Sequence, residues 1–259
     1  MIDAGFFYIC KPMEISNADI KMINALNKSH GRKKHHAFLV EGVKLVAEVL
    51  ESDINVQIIA ATDQWIKENP SYAQNDNFRL INERELKKMS NFSTSNQVVV
   101  VAQKPEEIEL KITDDELVLV LDTIQDPGNM GTIIRTADWY GINKIICSKE
   151  TVDVYSSKVV QSSMGSVLRS QIYYTDLVDF LKKQDKPVYG SLLNGEDIYN
   201  IELQTSGFII MGNESKGISS DVEKFITQAI YLPSFKGSKA ESLNAAIACG
   251  IILAEFRRK

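Results

Sequence analysis

The alternation of apolar and polar positions divides the chain into short apolar runs separated by helical stretches and polar turns. The run LVLVL at 117–121 has the length and continuity of a strand buried on both faces. It leads into DPGN at 126–129, a predicted turn: Pro presets φ, Gly permits positive φ and Asn tolerates it. A helix is expected from Asn129, a fair N-cap residue, with Ile133, Ile134, Ala137 and Tyr140 at helical spacing and Gly141 as its stop. The plan recurs twice. The run FIIM at 208–211 enters GNESKGIS, and IYLP at 230–233 passes through a polar loop into ESLNAAIA at 241–248, the start of a helix predicted over 242–256. In an open parallel sheet such turns gather at the carboxyl ends of the strands, where ligands bind.

Upstream, residues 16–29 form a helical pattern with Ile20, Ile23, Ala25 and Leu26 on its apolar face, followed by a basic loop. A strand at 37–40, a helix at 41–50, a strand at 56–60 and a short helix at 63–68 come next. Residues 82–89 read as a helix with Asn82 as N-cap and Glu85 in the capping-box position, and 97–102 as a strand. The charged stretch 105–116 lacks an apolar period and reads as a linker. Beyond it, strands are expected at 144–147, 171–174 and 187–193, with helices at 156–164 and 176–184 between them. Alternating strands and helices imply an α/β fold with a parallel sheet. The expected division is residues 1–104 as one domain with an N-terminal tail at 1–16, and residues 117–259 as a second.

Composition narrows the chemistry. The 259 residues, 44% hydrophobic and 24% charged, suit one large or two modest globular domains. Cys10, Cys147 and Cys249 have no C-x-x-C spacing, which argues for reduced thiols in a cytoplasmic setting and against a metal site. No apolar run reaches the ~20 residues of a membrane helix. The net charge is −5, yet KSHGRKKHH at 28–36 holds all three histidines and no acid. Lys28, Arg32, Lys33 and Lys34 are therefore candidate nucleic-acid phosphate contacts, with a merely solvated loop as the alternative. No G-x-G-x-x-G follows a strand, and neither G-x-x-x-x-G-K-[ST] nor H-E-x-x-H occurs. Histidine is absent beyond His36, so a Ser-His-Asp site is excluded from the second domain.

In DPGNMGTIIRTADWYG, IIMGNESKGIS and LP…ESLNAAIACGIILAEFRR the chain resembles the SpoU (TrmH-type) RNA ribose 2′-O-methyltransferases of the SPOUT superfamily, over residues 117–259. More loosely, GRKKHHAFLVEGVKLVAEVL is similar to the ribosomal-protein-like substrate-binding domain that often precedes it. The resemblance implies a trefoil-knotted domain that methylates a ribose 2′-hydroxyl in structured RNA, ribosomal RNA ahead of tRNA. A non-catalytic RNA-binding protein that retains the fold is the remaining alternative. It implies an S-adenosyl-L-methionine pocket at Leu192, Ile210, Gly212, Gly217, Leu232 and Leu243. It makes Arg135 the catalytic arginine, binding phosphate or taking the proton, with Asn129, Glu214, Ser242 and Asn244 around it. It further implies a homodimer, to which Leu243, Ala246, Ile247, Gly250, Ile251 and Ala254 would give one helix face. The loop LPSFKGSKAES is longer than the family pattern. Plainer roles compete at each position: turn glycines at Gly212 and Gly217, core packing at Leu232 and Leu243, helix capping at Ser242 and Asn244, and a carboxylate favoured by a helix dipole at Glu214. Tyr155, Lys158 and Arg169, between the motifs, suit a place near RNA or ordinary packing equally.

Overall fold

Two sheets are built from the apolar runs, one in each of two units: the described residues up to Glu106 with Tyr155–Gln161, and Glu107–Val154 with Ser162–Lys259. The computed structural model describes residues 13–91, 96–106, 109–240 and 242–258. Cys10, most of the expected tail, residues 107–108 of the expected linker and Glu241 lie outside them.

The first unit comprises α1 (Asn17–Ala25), α2 (Ser29–His35), β1 (Ala37–Glu41), α3 (Val43–Leu50), β2 (Val56–Ala61), α4 (Asp63–Glu68), β3 (Phe78–Leu80), α5 (Glu83–Met89) and β4 (Val98–Gln103). The capping box at Asn82 forms as expected: its side chain accepts from the amides of Arg84 and Glu85, and Glu85 accepts from the amide of Asn82. The sheet order is β1-β4-β2-β3, and it is mixed rather than parallel. β4 lies antiparallel to both β1 and β2, and only β2 and β3 run parallel. Val98 to Val101 are buried throughout, which seats β4 in the middle of the sheet. Helix–strand alternation does not reveal such an insertion, because strand direction is decided by packing between distant segments.

The basic segment, expected as a loop, is the helix α2. Its lack of apolar periodicity concealed it. The chain reverses after Leu26, and a Cβ on Gly31 would fall 1.9 Å from the Ala25 carbonyl oxygen. Arg32 is 3% exposed and donates from Nη1 to the Leu26 carbonyl at 2.8 Å. His36 then ends the helix in the left-handed region at φ 48°. The unit also takes in Tyr155, whose ring lies 4.8 Å from that of Phe38 and beneath the Lys104 ammonium at 4.9 Å.

The second unit continues with β5 (Leu117–Leu121), α6 (Pro127–Trp139) and β6 (Lys144–Ser148). After α7 (Ser157–Ser162), which falls almost wholly in the first unit, come β7 (Gln171–Thr175), α8 (Leu177–Leu181), β8 (Val188–Asp197), β9 (Gly207–Met211), α9 (Ser220–Glu223), β10 (Gln228–Tyr231) and α10 (Ala245–Phe256). Every strand pair is parallel, in the order β10-β8-β9-β5-β6-β7. β5 and β9 are buried at all positions, as their unbroken apolar runs require. Each such side chain contributes roughly 1.5–3 kcal/mol by leaving water. From β5 the chain builds outward through β6 and β7, then returns to the other side through β8 and β9. The carboxyl end of β5 is thus a switch point, the place where an open parallel sheet leaves a crevice.

Candidate functional site

At the carboxyl end of β5, Asp122 is buried and binds in two directions. Its Oδ2 accepts from the Ser219 amide at 2.7 Å, and its Oδ1 accepts from the Thr123 hydroxyl at 3.0 Å. Thr123 is held at φ 59°, a conformation disfavoured for a β-branched residue. Two contacts keep it there: its amide donates to Ser148 Oγ at 3.0 Å, and its carbonyl accepts from Asn213 Nδ2 at 2.8 Å. Asp122 and Asn213 therefore lock the ends of β5 and β9 together.

The loop after β9 is closed on itself. Asn213 and Gly217 exchange backbone hydrogen bonds of 2.9 Å in both directions, and Asn213 Oδ1 accepts from the amides of Ser215 and Lys216. Gly217 at φ 71° supplies the left-handed turn. Gly212 has no room for a Cβ, which would lie 2.2 Å from the Gly217 carbonyl carbon. Its constraint is thus the close approach of its own loop, not a positive φ.

This loop presents Glu214 to α6. Glu214 Oε1 accepts from Asn129 Nδ2 at 3.0 Å and from the Asp126 amide at 3.3 Å, while Oε2 faces Asn213 Nδ2 at 3.3 Å. The N-cap of α6 is Asp126, not Asn129: Asp126 Oδ1 accepts from the Asn129 amide at 2.7 Å, with Pro127 at the first helical position. Relieved of capping, the Asn129 amide group is free to bridge. Its Oδ1 accepts from Asn244 Nδ2 at 2.8 Å. Asn244 also caps α10, its Oδ1 accepting from the amides of Ala246 and Ile247. At the other end of the helix pair, Arg257 Nε donates to the Tyr140 carbonyl at 3.0 Å, so α10 is fixed to α6 at both ends.

The structure thus joins Asn129, Glu214 and Asn244, one residue from each motif, in a continuous hydrogen-bonded chain. Arg135 stands apart, exposed on α6. Ser242 and Leu243 precede α10 rather than opening it, and both are exposed. Leu192, midway along β8, and Leu232, directly after β10, are both partly buried. Ile210 is fully buried within β9, which pairs with β5 on one side and β8 on the other. Of the proposed helix face, Ala246 is buried in the unit itself, Ile247 is exposed, and Gly250, Ile251 and Ala254 are half-buried. Lys28, Lys33 and Lys34 are exposed, whereas Arg32 is committed to the Leu26 carbonyl and drops out as a phosphate contact. Sequence reasoning missed Asp122, Thr123 and Asn213. Their position directly after buried strands was the available signal. The other thiols play no part here: burial pushes both Cys147 and Cys249 upward, Cys249 to about 12.

Residues 116–254 match the SpoU rRNA Methylase family, and residues 17–100 match the MRM3-like substrate binding domain. The chain is 32% identical over 246 residues to the 23S rRNA (guanosine(2553)-2′-O)-methyltransferase RlmP of Bacillus subtilis (strain 168), covering 93% of this chain and 96% of that protein. A TrmH-family structure from Porphyromonas gingivalis superposes with a TM-score of 0.82 at 34% identity, over 94% of this chain and 98% of the other. The AdoMet-bound rRNA methyltransferase from Sinorhizobium meliloti gives a TM-score of 0.83 at 28% identity, over 95% and 96%.

Proposed function

Since the chain belongs to the SpoU rRNA methylase family, we propose that it transfers a methyl group from S-adenosyl-L-methionine to a ribose 2′-hydroxyl of structured RNA, with ribosomal RNA as the substrate. The observation that carries this reading is the Asn129–Glu214–Asn244 chain, which unites three motif loops at the carboxyl edge of a parallel sheet. Relatives of matching length are named for the same reaction on 23S rRNA. The first unit presents the RNA, and the fold of the second is the family's trefoil.

The loop residues fit the cofactor. Gly212 and Gly217 hold a tight turn whose backbone groups can face an adenosine, Leu232 and Leu243 offer apolar side chains outside the core, and Leu192 packs partly buried against it. The cofactor supplies an electrophilic methyl group. The protein's task is then to position the ribose oxygen and to favour loss of its proton. Arg135, with a planar fork of donors, binds the phosphate beside the target ribose. Its side chain offers five N–H donors and no acceptor, so phosphate binding rather than proton removal is its main role. Glu214 holds Asn129, and Asn129 holds Asn244, so the three loops keep one geometry during binding. Two copies pair through the second unit, with Ile247 on α10 and Trp139 on α6 as exposed apolar residues available to the interface. The protein acts in the cytoplasm.

The test is methyl transfer by Arg135→Ala and Arg135→Lys. Both should lose nearly all transfer to ribosomal RNA from cells lacking the protein, while calorimetry finds S-adenosylmethionine affinity unchanged. Full activity in Arg135→Ala would sink the assignment.

A further inference from the structure

Helical geometry offers Arg135 a carboxylate. Asp138 lies three residues on along α6, and side chains at that spacing are neighbours, with about 5–6 Å between Cβ atoms. In the structure another cation has taken it. Arg169 follows the turn Ser166–Leu168 and donates to Asp138 Oδ2 through Nε at 3.1 Å and Nη2 at 2.9 Å. Its Nη2 also reaches Ser166 Oγ at 3.3 Å, and Ser166 is buried. The segment that delivers Arg169 is docked on the first turns of α6. Ser162 Oγ donates to the Pro127 carbonyl at 3.1 Å and lies 1.9 Å from where a Cβ on Gly131 would be. The Asp138 side chain is 23% exposed, so its charge is partly shielded from water and is not negligible to a neighbour. Arg135, by contrast, is exposed, and its side chain makes no ion pair or hydrogen bond among the described residues.

We infer that Arg169 is a positioning residue: by occupying Asp138 it leaves the Arg135 guanidinium unpaired and available to an RNA phosphate. The inference rests on the reading of Arg135 as a phosphate ligand. An unpaired Asp138 would attract Arg135 and compete with the incoming phosphate. The competition is limited in size, because an exposed ion pair is a weak one.

The experiment is steady-state kinetics with unmodified ribosomal RNA from cells lacking the protein. Arg169→Gln should raise KM for RNA about two- to fivefold, the range an exposed pair carries, with kcat and S-adenosylmethionine affinity unchanged. Asp138→Asn alone should leave KM unchanged or lower it. Adding Asp138→Asn to Arg169→Gln should restore the wild-type KM. Adding Glu150→Gln instead resets the same net charge at an exposed position yet leaves Asp138 in place, and should restore nothing. An unchanged KM in Arg169→Gln overturns the inference. So does failure of Asp138→Asn to rescue, or equal rescue by Glu150→Gln. Arg135→Ala is assayed alongside. If it stays active, the phosphate reading falls and takes the inference with it. If it is inactive and the rescue fails, only the inference falls.

Discussion

Gly212 is excluded from carrying a side chain by its own loop. A Cβ there would lie 2.2 Å from the Gly217 carbonyl carbon and 2.3 Å from the Ile218 amide nitrogen, and backbone atoms cannot swing aside as a side-chain end can. Gly212→Val should therefore open the Asn213–Gly217 pairing and cost about 1–3 kcal/mol, the usual range for overpacking. Thermal melting without cofactor checks this, and an unchanged Tm would mean the loop relaxes freely. A lowered Tm would make the accompanying loss of S-adenosylmethionine binding a consequence of loop distortion, not of a direct clash with the ligand. The two described cysteines make a second residue-scale prediction. Burial raises both thiols, Cys249 to about 12, so the folded state holds these protons more tightly than the unfolded state does. That stabilisation is complete below the ordinary thiol pKa of about 8.5 and is lost as pH rises toward about 12. Native protein at pH 8 should resist alkylation at Cys147 and Cys249 until it is denatured, as peptide mass mapping would show. Prompt labelling of either in the native state would contradict their burial.

Helix α10 is where an element-scale effect can be separated from chemistry. Asn244 both caps the helix through Oδ1 and donates from Nδ2 to Asn129. Asn244→Ala removes both functions and should cost about 1 kcal/mol of stability through loss of the cap. Asn244→Asp keeps a capping oxygen but sets a carboxylate against Asn129 Oδ1. Methyl transfer should fall in both variants, whereas Tm should fall clearly only in the alanine variant. If Asn244→Asp retains wild-type transfer, the Asn129–Asn244 bond has no part in the reaction. The element α2 carries a parallel lesson. Arg32 is buried and holds the turn at Leu26, so it belongs to the fold, while its neighbours Lys33 and Lys34 face solvent.

For the whole molecule, an acidic protein of net charge −5 needs a local source of attraction for RNA. Lys28, Lys33 and Lys34, exposed in the first unit, are its proposed source, without Arg32. Replacing the three lysines with glutamine should weaken RNA binding and flatten its salt dependence. On single-stranded RNA the slope should fall by about 0.7 for each phosphate that is no longer neutralised. Cofactor affinity should not change. Equal RNA affinity for mutant and wild type across a salt series would show that the cluster is only a solvated helix face.

The sequence by itself determined the strands other than β3, most helices and the three motif loops, because apolar period, caps and turn residues act within a few positions of one another. The resemblance of its three motifs to the family named Asn129, Glu214 and Asn244 as site residues, whereas local pattern read Asn129 only as a helix cap. Tertiary structure decided what distant segments do to one another. It inserted β4 antiparallel between β1 and β2, folded the basic stretch into α2 by burying Arg32, and assigned Tyr155–Gln161 to the first unit. It handed the capping of α6 to Asp126, which left Asn129 to bridge Glu214 and Asn244, and it gave Asp138 to Arg169 rather than to Arg135. Each of these outcomes is a competition for one partner among groups far apart in the chain. Local pattern can supply the candidates, but only the folded geometry brings the winner within hydrogen-bonding distance.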